Sequence, residues 1–178
     1  MSDKLVQLQK NLGYEFKDIS LLKTALTHSS YANEQNDGTQ CNERLEFLGD
    51  SILGFVSAKY FYTTFDWPEG ELTKHRAAKV CENALCTFAR ELEIGPALRL
   101  GKGEIRMGGA DRPSILADAF EALIAAMYLD GGIEPARAHV MRFVKDELVV
   151  ASLRFSTREY NGQVYQDIVV NEIIKINQ

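Results

Sequence analysis

Three cysteines are too few, and wrongly spaced, to build a disulfide framework or a structural zinc site: Cys41, Cys81 and Cys86 are odd in number and no CxxC occurs. They read as reduced thiols. Only four prolines interrupt 178 residues, so long segments are free to run as helices. No stretch approaches the roughly 18 apolar residues of a membrane span, and Met1-Ser2-Asp3-Lys4 leads into a polar segment rather than a signal core. A soluble cytoplasmic protein with no membrane partner is expected. Positive charge is also short, with 20 Lys and Arg against 25 Asp and Glu and a formal net charge of −5. Bulk attraction to a polyanion is thereby excluded, so such a partner has to be met by local basic patches or bound cations.

The chain does have a globular mix, with 46% hydrophobic and 25% charged residues. Apolar residues recur mostly at three and four, which predicts a helical domain over residues 1–150. Asp18 is an N-cap candidate for a helix carrying Leu21, Leu22, Ala25 and Leu26. The polar run 33–40 reads as a loop, and a long helix follows from about Asn42 to Phe65. After the Trp67-Pro68-Glu69-Gly70 turn, a third segment from Glu71 carries Leu72, Val80, Leu85, Phe88 and Leu92 as far as Gly95-Pro96. Residues 101–113 are Gly-rich and charged, a loop by pattern. A very apolar helix is expected from Ser114 to Leu129, and a last one from Pro135 to near Val150. The remaining 28 residues, 151–178, are rich in β-branched side chains with a Tyr160-Asn161-Gly162 turn signal, and are too few for a separate domain.

Two of these helices carry acids where apolar packing is expected. In Asn42-Glu43-Arg44-Leu45-Glu46-Phe47-Leu48-Gly49-Asp50-Ser51, Glu43, Glu46 and Asp50 fall within about 60° of one another on a helical wheel. Leu45, Leu48, Ile52 and Phe55 line the other side. The acidic stripe continues into small Gly54 and Ser57, and no Lys or Arg stands at i+4 to pair with Glu46 or Asp50. In the second helix Asp118 and Glu121 are the acids of an otherwise apolar run from Ile115 to Met127. Burying two carboxylates without a partner costs several kcal/mol, so something positive must meet them. If the stripes face each other, Glu46, Asp50, Asp118 and Glu121 form an all-oxygen cluster suited to Mg²⁺, with Mn²⁺ as substitute. Zinc and a di-iron site are disfavoured because no His accompanies the acids at helical spacing. Taken alone, the acids also fit a solvated helix face.

The stretch Glu43-Arg44-Leu45-Glu46-Phe47-Leu48-Gly49-Asp50-Ser51 resembles the signature of the ribonuclease III family, and Asp118-Ala119-Phe120-Glu121-Ala122 resembles its second acidic motif. Asn11-Leu12-Gly13-Tyr14, Ala25-Leu26-Thr27-His28-Ser29-Ser30-Tyr31, Glu69-Gly70-Glu71-Leu72 and Tyr128-Leu129-Asp130-Gly131-Gly132 are similar to further family stretches, in order, over about residues 5 to 148. The resemblance implies an all-α, homodimeric endonuclease domain that cuts double-stranded RNA with Mg²⁺. Products would carry 5′-phosphate and 3′-hydroxyl ends with short 3′ overhangs, in processing of rRNA and mRNA. It also implies that Glu46, Asp50, Asp118 and Glu121 are the catalytic, metal-binding acids, that Glu43 and Glu69 support them, and that Phe47 inserts into a socket on the partner subunit. The wheel places Phe47 about 40° from Glu43, off the apolar face, where an aromatic is exposed in a monomer.

Candidates for phosphate contacts are Lys74, His75, Arg76 and Lys79 after the Glu69-Gly70 turn, and Arg99, Lys102 and Arg106 around the Gly-rich segment. His28, His75 and His139 have no partner set for nucleophilic catalysis and read as structural or surface residues. The tail departs from the family pattern, because 28 residues cannot make the double-stranded-RNA-binding domain that most bacterial members carry. A competing expectation is a catalytically silent, dimeric RNA-binding or scaffolding protein of the same fold. A third, a carboxylate helical bundle doing redox chemistry with iron, predicts visible absorbance on iron loading and indifference to RNA.

Overall fold

A computed structural model describes residues 3–35, 37–145, 149–160 and 163–175, the last two stretches as backbone only. The chain divides into two units, Met1–Val144 and Lys145–Gln178. In the first, α1 (Asp3–Leu12), α2 (Ile19–Ala25) and α3 (Ser29–Gln35) lead into the long α4 (Glu43–Thr64). Then come α5 (Glu69–Lys79), α6 (Glu82–Glu91), the short α7 (Lys102–Arg106), α8 (Pro113–Gly131) and α9 (Ile133–Val144). The body is all-α, as the periodicity predicts.

The core is organised around α8. Every residue from Ile115 to Met127 is buried except Asp118 and Glu121. Burial of each large apolar side chain contributes about 1.5–3 kcal/mol, which makes α8 the main source of stability and leaves its two acids conspicuous. Leu45, Ile52, Leu53, Val56 and Phe61 of α4, Leu85, Cys86 and Ala89 of α6, and Ala136 and Val140 of α9 pack in the same core. Pro113 opens α8, where its missing N–H costs nothing, and Gly132 closes it with φ +84°. Asp130, in the last turn, clasps the segment before α2: it accepts from Tyr14 Oη at 2.6 Å and from the Lys17 and Asp18 amides at 3.0 and 2.7 Å. Burial and the Asp130 carboxylate push the Tyr14 phenol up to about 12.

Asp18 caps α2 as expected, accepting from the Ser20 amide. Other boundaries differ from the sequence reading. The segment from Glu71 to Leu92 is two helices, because α5 buries no residue whereas α6 turns to lay Leu85, Cys86 and Ala89 into the core. Neither Gly nor Pro marks that break at Val80-Cys81. Residues 101–113 contain α7, pinned by a 2.8 Å ion pair between Glu104 and Arg112. Part of the expected loop 33–40 belongs to α3, and α9 ends at Val144 rather than near Val150. Phe55, assigned by the wheel to the packed side of α4, is 62% exposed. The α4–α5 turn is held by aromatic stacking, with Phe65 and Trp67 rings 4.0 Å apart and His75 4.5 Å from Trp67.

In the second unit, β1 (Val149–Tyr160) and β2 (Gln163–Lys175) pair antiparallel, with Tyr160 opposite Gln163 and an irregularity at Ser152/Leu153. Asn161 and Gly162, the expected turn, lie outside the described residues, as does the end of the chain from 176.

Candidate active site

The acids come together because α4 and α8 touch backbone to backbone. Gly49 makes this possible: a Cβ there would overlap the Glu121 carbonyl. The small side chains of Ala117, Ala122 and Ala125 keep α8 slim as well. Close approach of the helices sets Glu46 and Asp50, from α4, against Asp118 and Glu121, from α8, within reach of each other's charge.

Their electrostatics show this directly. Glu121 is half-buried, and desolvation followed by the Asp50, Glu46 and Asp118 carboxylates pushes its carboxyl up to about 7. Glu46 is raised by desolvation and then by Asp118, Glu43 and Asp50. Asp118 is raised by desolvation and by Glu82, against an opposing pull from His28. For Glu46 and Glu121 each neighbour that contributes is another carboxylate. Such a cluster lacks charge compensation, and its donors are hard oxygens, so it fits a divalent cation of the Mg²⁺ type. Among the described residues, however, no three Asp, Glu, His or Cys side chains are gathered closely enough to form a finished ligand shell.

The other expected residues are placed differently. Glu43 is exposed in the first turn of α4 and acts on Glu46. Glu69 is not among the groups that shift Glu46, Asp118 or Glu121. Its Oε1 accepts from Thr73 Oγ1 at 2.8 Å, and it lines a cavity of about 600 Å³ with Phe55, Phe61, Tyr62, Leu72 and Arg76. Phe47 is 78% exposed on α4, in line with Phe55 and Tyr62. Lys74 is exposed and 4.0 Å from Glu71, and Lys79 is half-buried. Lys102 is exposed, with its amide donating to Glu34 Oε1 at 2.7 Å, and Arg106 is exposed in the last turn of α7. Arg99 sits over the Tyr31 ring at 4.3 Å and donates to Thr27 Oγ1, a packing role that a phosphate contact does not need.

Of two further residues whose charge reaches the site, Glu82 is not singled out by sequence and His28 reads there only as structural or surface. Glu82, at the start of α6, adds negative field at Asp118, and His28 opposes it. Neither lies at helical spacing from the acids, so only the tertiary arrangement reveals them. His139 is instead buried between Phe120 and Phe143, with both ring nitrogens unpartnered among the described residues. Burial, with Arg142 adding to it, holds its imidazole down at about 3.

Comparison with known proteins gives the chain's relatives. A family described as "Ribonuclease-III-like" matches residues 18–148. The chain is 46% identical over 173 residues to "Ribonuclease 3" of Caldanaerobacter subterraneus, covering 97% of this chain and 76% of that protein. It is 52% identical over 159 residues to "Ribonuclease 3" of Symbiobacterium thermophilum, covering 88% of this chain and 66% of that one. Among solved structures, the ribonuclease III nuclease domain of Campylobacter jejuni, described for flexibility in a region involved in dimer formation, superposes with a TM-score of 0.72. Its identity is 41%, covering 78% of this chain and 94% of that one.

Proposed function

The chain belongs to the ribonuclease III family of endoribonucleases, and from that premise we propose that it hydrolyses double-stranded RNA with Mg²⁺ at the acids shared by α4 and α8. The observation that carries this reading is the Glu121 carboxyl, raised to about 7 by burial and three carboxylate neighbours on two helices. A purely structural helix pair gains nothing from that arrangement.

Glu46, Asp50, Asp118 and Glu121 would hold the cation. When bound, Mg²⁺ or Mn²⁺ activates water and offsets charge on the scissile phosphate. The chain supplies the rest. The apolar wall of α8 excludes solvent behind Asp118 and Glu121, and the Gly49 contact keeps the two acidic stripes at a fixed spacing. Glu43 adds to the field on Glu46. Lys74, Arg76, Lys79 and Lys102 are the side chains we assign to backbone phosphates, and His75 is held against Trp67.

The functional unit is a homodimer. Phe47, Phe55 and Tyr62 recur along one side of α4 at 78%, 62% and 78% exposure, an apolar strip suited to cover by a second subunit. Two acid sites, one per subunit, would then cut the two strands of one duplex and leave 5′-phosphate and 3′-hydroxyl ends with short 3′ overhangs. Among the described residues no helix is long and apolar enough to cross a membrane. Ribosomal and messenger RNA precursors in the cytoplasm are the substrates this activity serves.

Incubation with a long RNA duplex and Mg²⁺ tests the proposal. Short duplex products with 5′-phosphates are expected, and duplex binding with no cleavage at any enzyme concentration would assign the chain to a silent scaffold instead.

A further inference from the structure

The first turn of α1, the last turn of α2 and residues 96–99 between α6 and α7 surround a cavity of about 410 Å³. Three of the side chains that line it are cationic, Lys4, Lys23 and Arg99, and among the described residues no carboxylate lines it. In a chain of net charge −5 this grouping runs against the overall field. Like charges repel, so three cations around one hollow cost free energy that a bound anion offsets. Among the described residues none of the three takes part in an ion pair. The carboxylate that the charge of Arg99 reaches is Asp37, which does not line the cavity and whose Oδ1 already accepts from the Thr39 amide at 2.9 Å.

Two of the cations are tied to each other through the fold. Thr27, fully buried, donates from Oγ1 to the Lys23 carbonyl at 2.6 Å and accepts at the same oxygen from Arg99 Nη1 at 3.1 Å. One buried hydroxyl therefore fixes the guanidinium against the turn that carries Lys23. The backbone repeats the tie: the Arg99 amide donates to the Leu26 carbonyl at 2.8 Å, and the His28 amide donates to the Arg99 carbonyl at 3.1 Å. The Tyr31 ring, 4.3 Å from the guanidinium carbon, completes its seat. The bond to Thr27 uses one of the five guanidinium N–H donors and leaves the others for an anion.

We propose that this cavity, which shares no residue with the acids of α4 and α8, is an anion site that takes the 5′-phosphate of a nucleotide. A phosphate monoester carries about −1.5 to −2 charge at pH 7 and three acceptor oxygens, a match for Lys4, Lys23 and Arg99. The volume of about 410 Å³ falls within the range of about 300–1,000 Å³ that small-molecule sites occupy, more than a bare phosphate fills. Leu5, Leu26 and Pro96 supply apolar wall for the organic part of the ligand. A free nucleoside monophosphate and the 5′-phosphate at an RNA end present the same chemistry, and the test tells the two apart.

Calorimetric titration of the whole chain in EDTA reads the site without any nuclease chemistry, because the metal-free acids repel an anion. Adenosine 5′-monophosphate should bind saturably, one per chain. Lys4→Gln and Lys23→Gln should each weaken it about tenfold, the loss of one charge-assisted hydrogen bond. Lys10→Gln, the same charge change elsewhere on α1, should leave it unaltered. All three lysines are exposed, so the variants keep the fold, which circular dichroism melts verify. A short single-stranded RNA is titrated with a 5′-phosphate and with a 5′-hydroxyl. Tighter binding of the phosphorylated strand than of the mononucleotide assigns the site to RNA ends, and the reverse order assigns it to the free nucleotide. The proposal is overturned by no saturable binding of either phosphorylated probe, by equal binding of the two strands with none of the mononucleotide, or by an equal loss in Lys10→Gln. Were the wild-type protein to cleave no RNA, the reading of the acid site would fall while these titrations still decided this one.

Discussion

Gly49 of α4 lies against the carbonyl of Glu121 on α8, with no room for a side chain between the two backbones. One residue after Gly49 comes Asp50, and Glu121 is itself one of the acids, so the contact that packs the core also sets the spacing of the site. The colliding atom is backbone rather than a flexible side-chain end, and relief requires a helix to move. Gly49→Ala should therefore destabilise the fold by roughly 1–3 kcal/mol or more and lower activity even where the variant remains folded. Thermal and denaturant unfolding, with cleavage assayed well below the midpoint, check both effects. Unchanged stability would mean that the helices are not in contact at this point.

Glu121→Gln removes a charged oxygen without much change in shape. Cleavage should be abolished and duplex binding largely kept. A second effect follows from the raised carboxyl. Because the folded protein holds the Glu121 proton more tightly than the unfolded chain, wild-type stability is favoured below about pH 4.5 and declines as pH rises toward about 7. The metal-free variant should thus be more stable than wild type at pH 8, with the difference vanishing below about pH 4.5. Added Mg²⁺ should raise the wild-type midpoint more than that of the variant. Parallel melts at pH 4.5 and 8, with and without Mg²⁺, read all of this.

Phe47→Ala should shift the monomer–dimer equilibrium toward monomer, because the side chain is 78% exposed in a single chain and gives up little packing there. Sedimentation at low concentration measures the shift, and circular dichroism should show the monomer still helical. An unchanged dimer would place the interface elsewhere than on this side of α4.

His139 gives the fold an acid limit. The unfolded chain takes up a proton near pH 6.5, whereas the buried imidazole does not until about pH 3. Stability contributed by the neutral ring is complete above pH 6.5 and is lost as pH falls through that window, at up to about 1.4 kcal/mol per pH unit. His139→Leu should remove this dependence, so that the free-energy difference between variant and wild type grows in favour of the variant from pH 7 to pH 5. A constant difference would show that the ring is not protonated on unfolding.

Much of the architecture was legible before any coordinate. Helical periodicity, the Asp18 cap and the Pro68 break are local effects, decided within a few residues of where they act. The break at Val80-Cys81 was not legible, because no Gly or Pro encodes it: the chain turns there to carry Leu85 and Ala89 to α8. Phe55 misled the helical wheel for a related reason, since amphipathic spacing records which residues are apolar and not whether the chain's own core covers them.

For the site, the residue types and their three- and four-residue spacing already selected hard-cation chemistry, since acids without neighbouring cations in an apolar helix need one from outside. Tertiary structure alone decided that Gly49 brings the two stripes together, that Glu69 is bonded to Thr73 beside a cavity, and that the charges of His28 and Glu82 act on Asp118. Local sequence encodes which side of a helix a carboxylate occupies, but a field at 118 produced by residues 28 and 82 exists only once long-range packing has closed the distance.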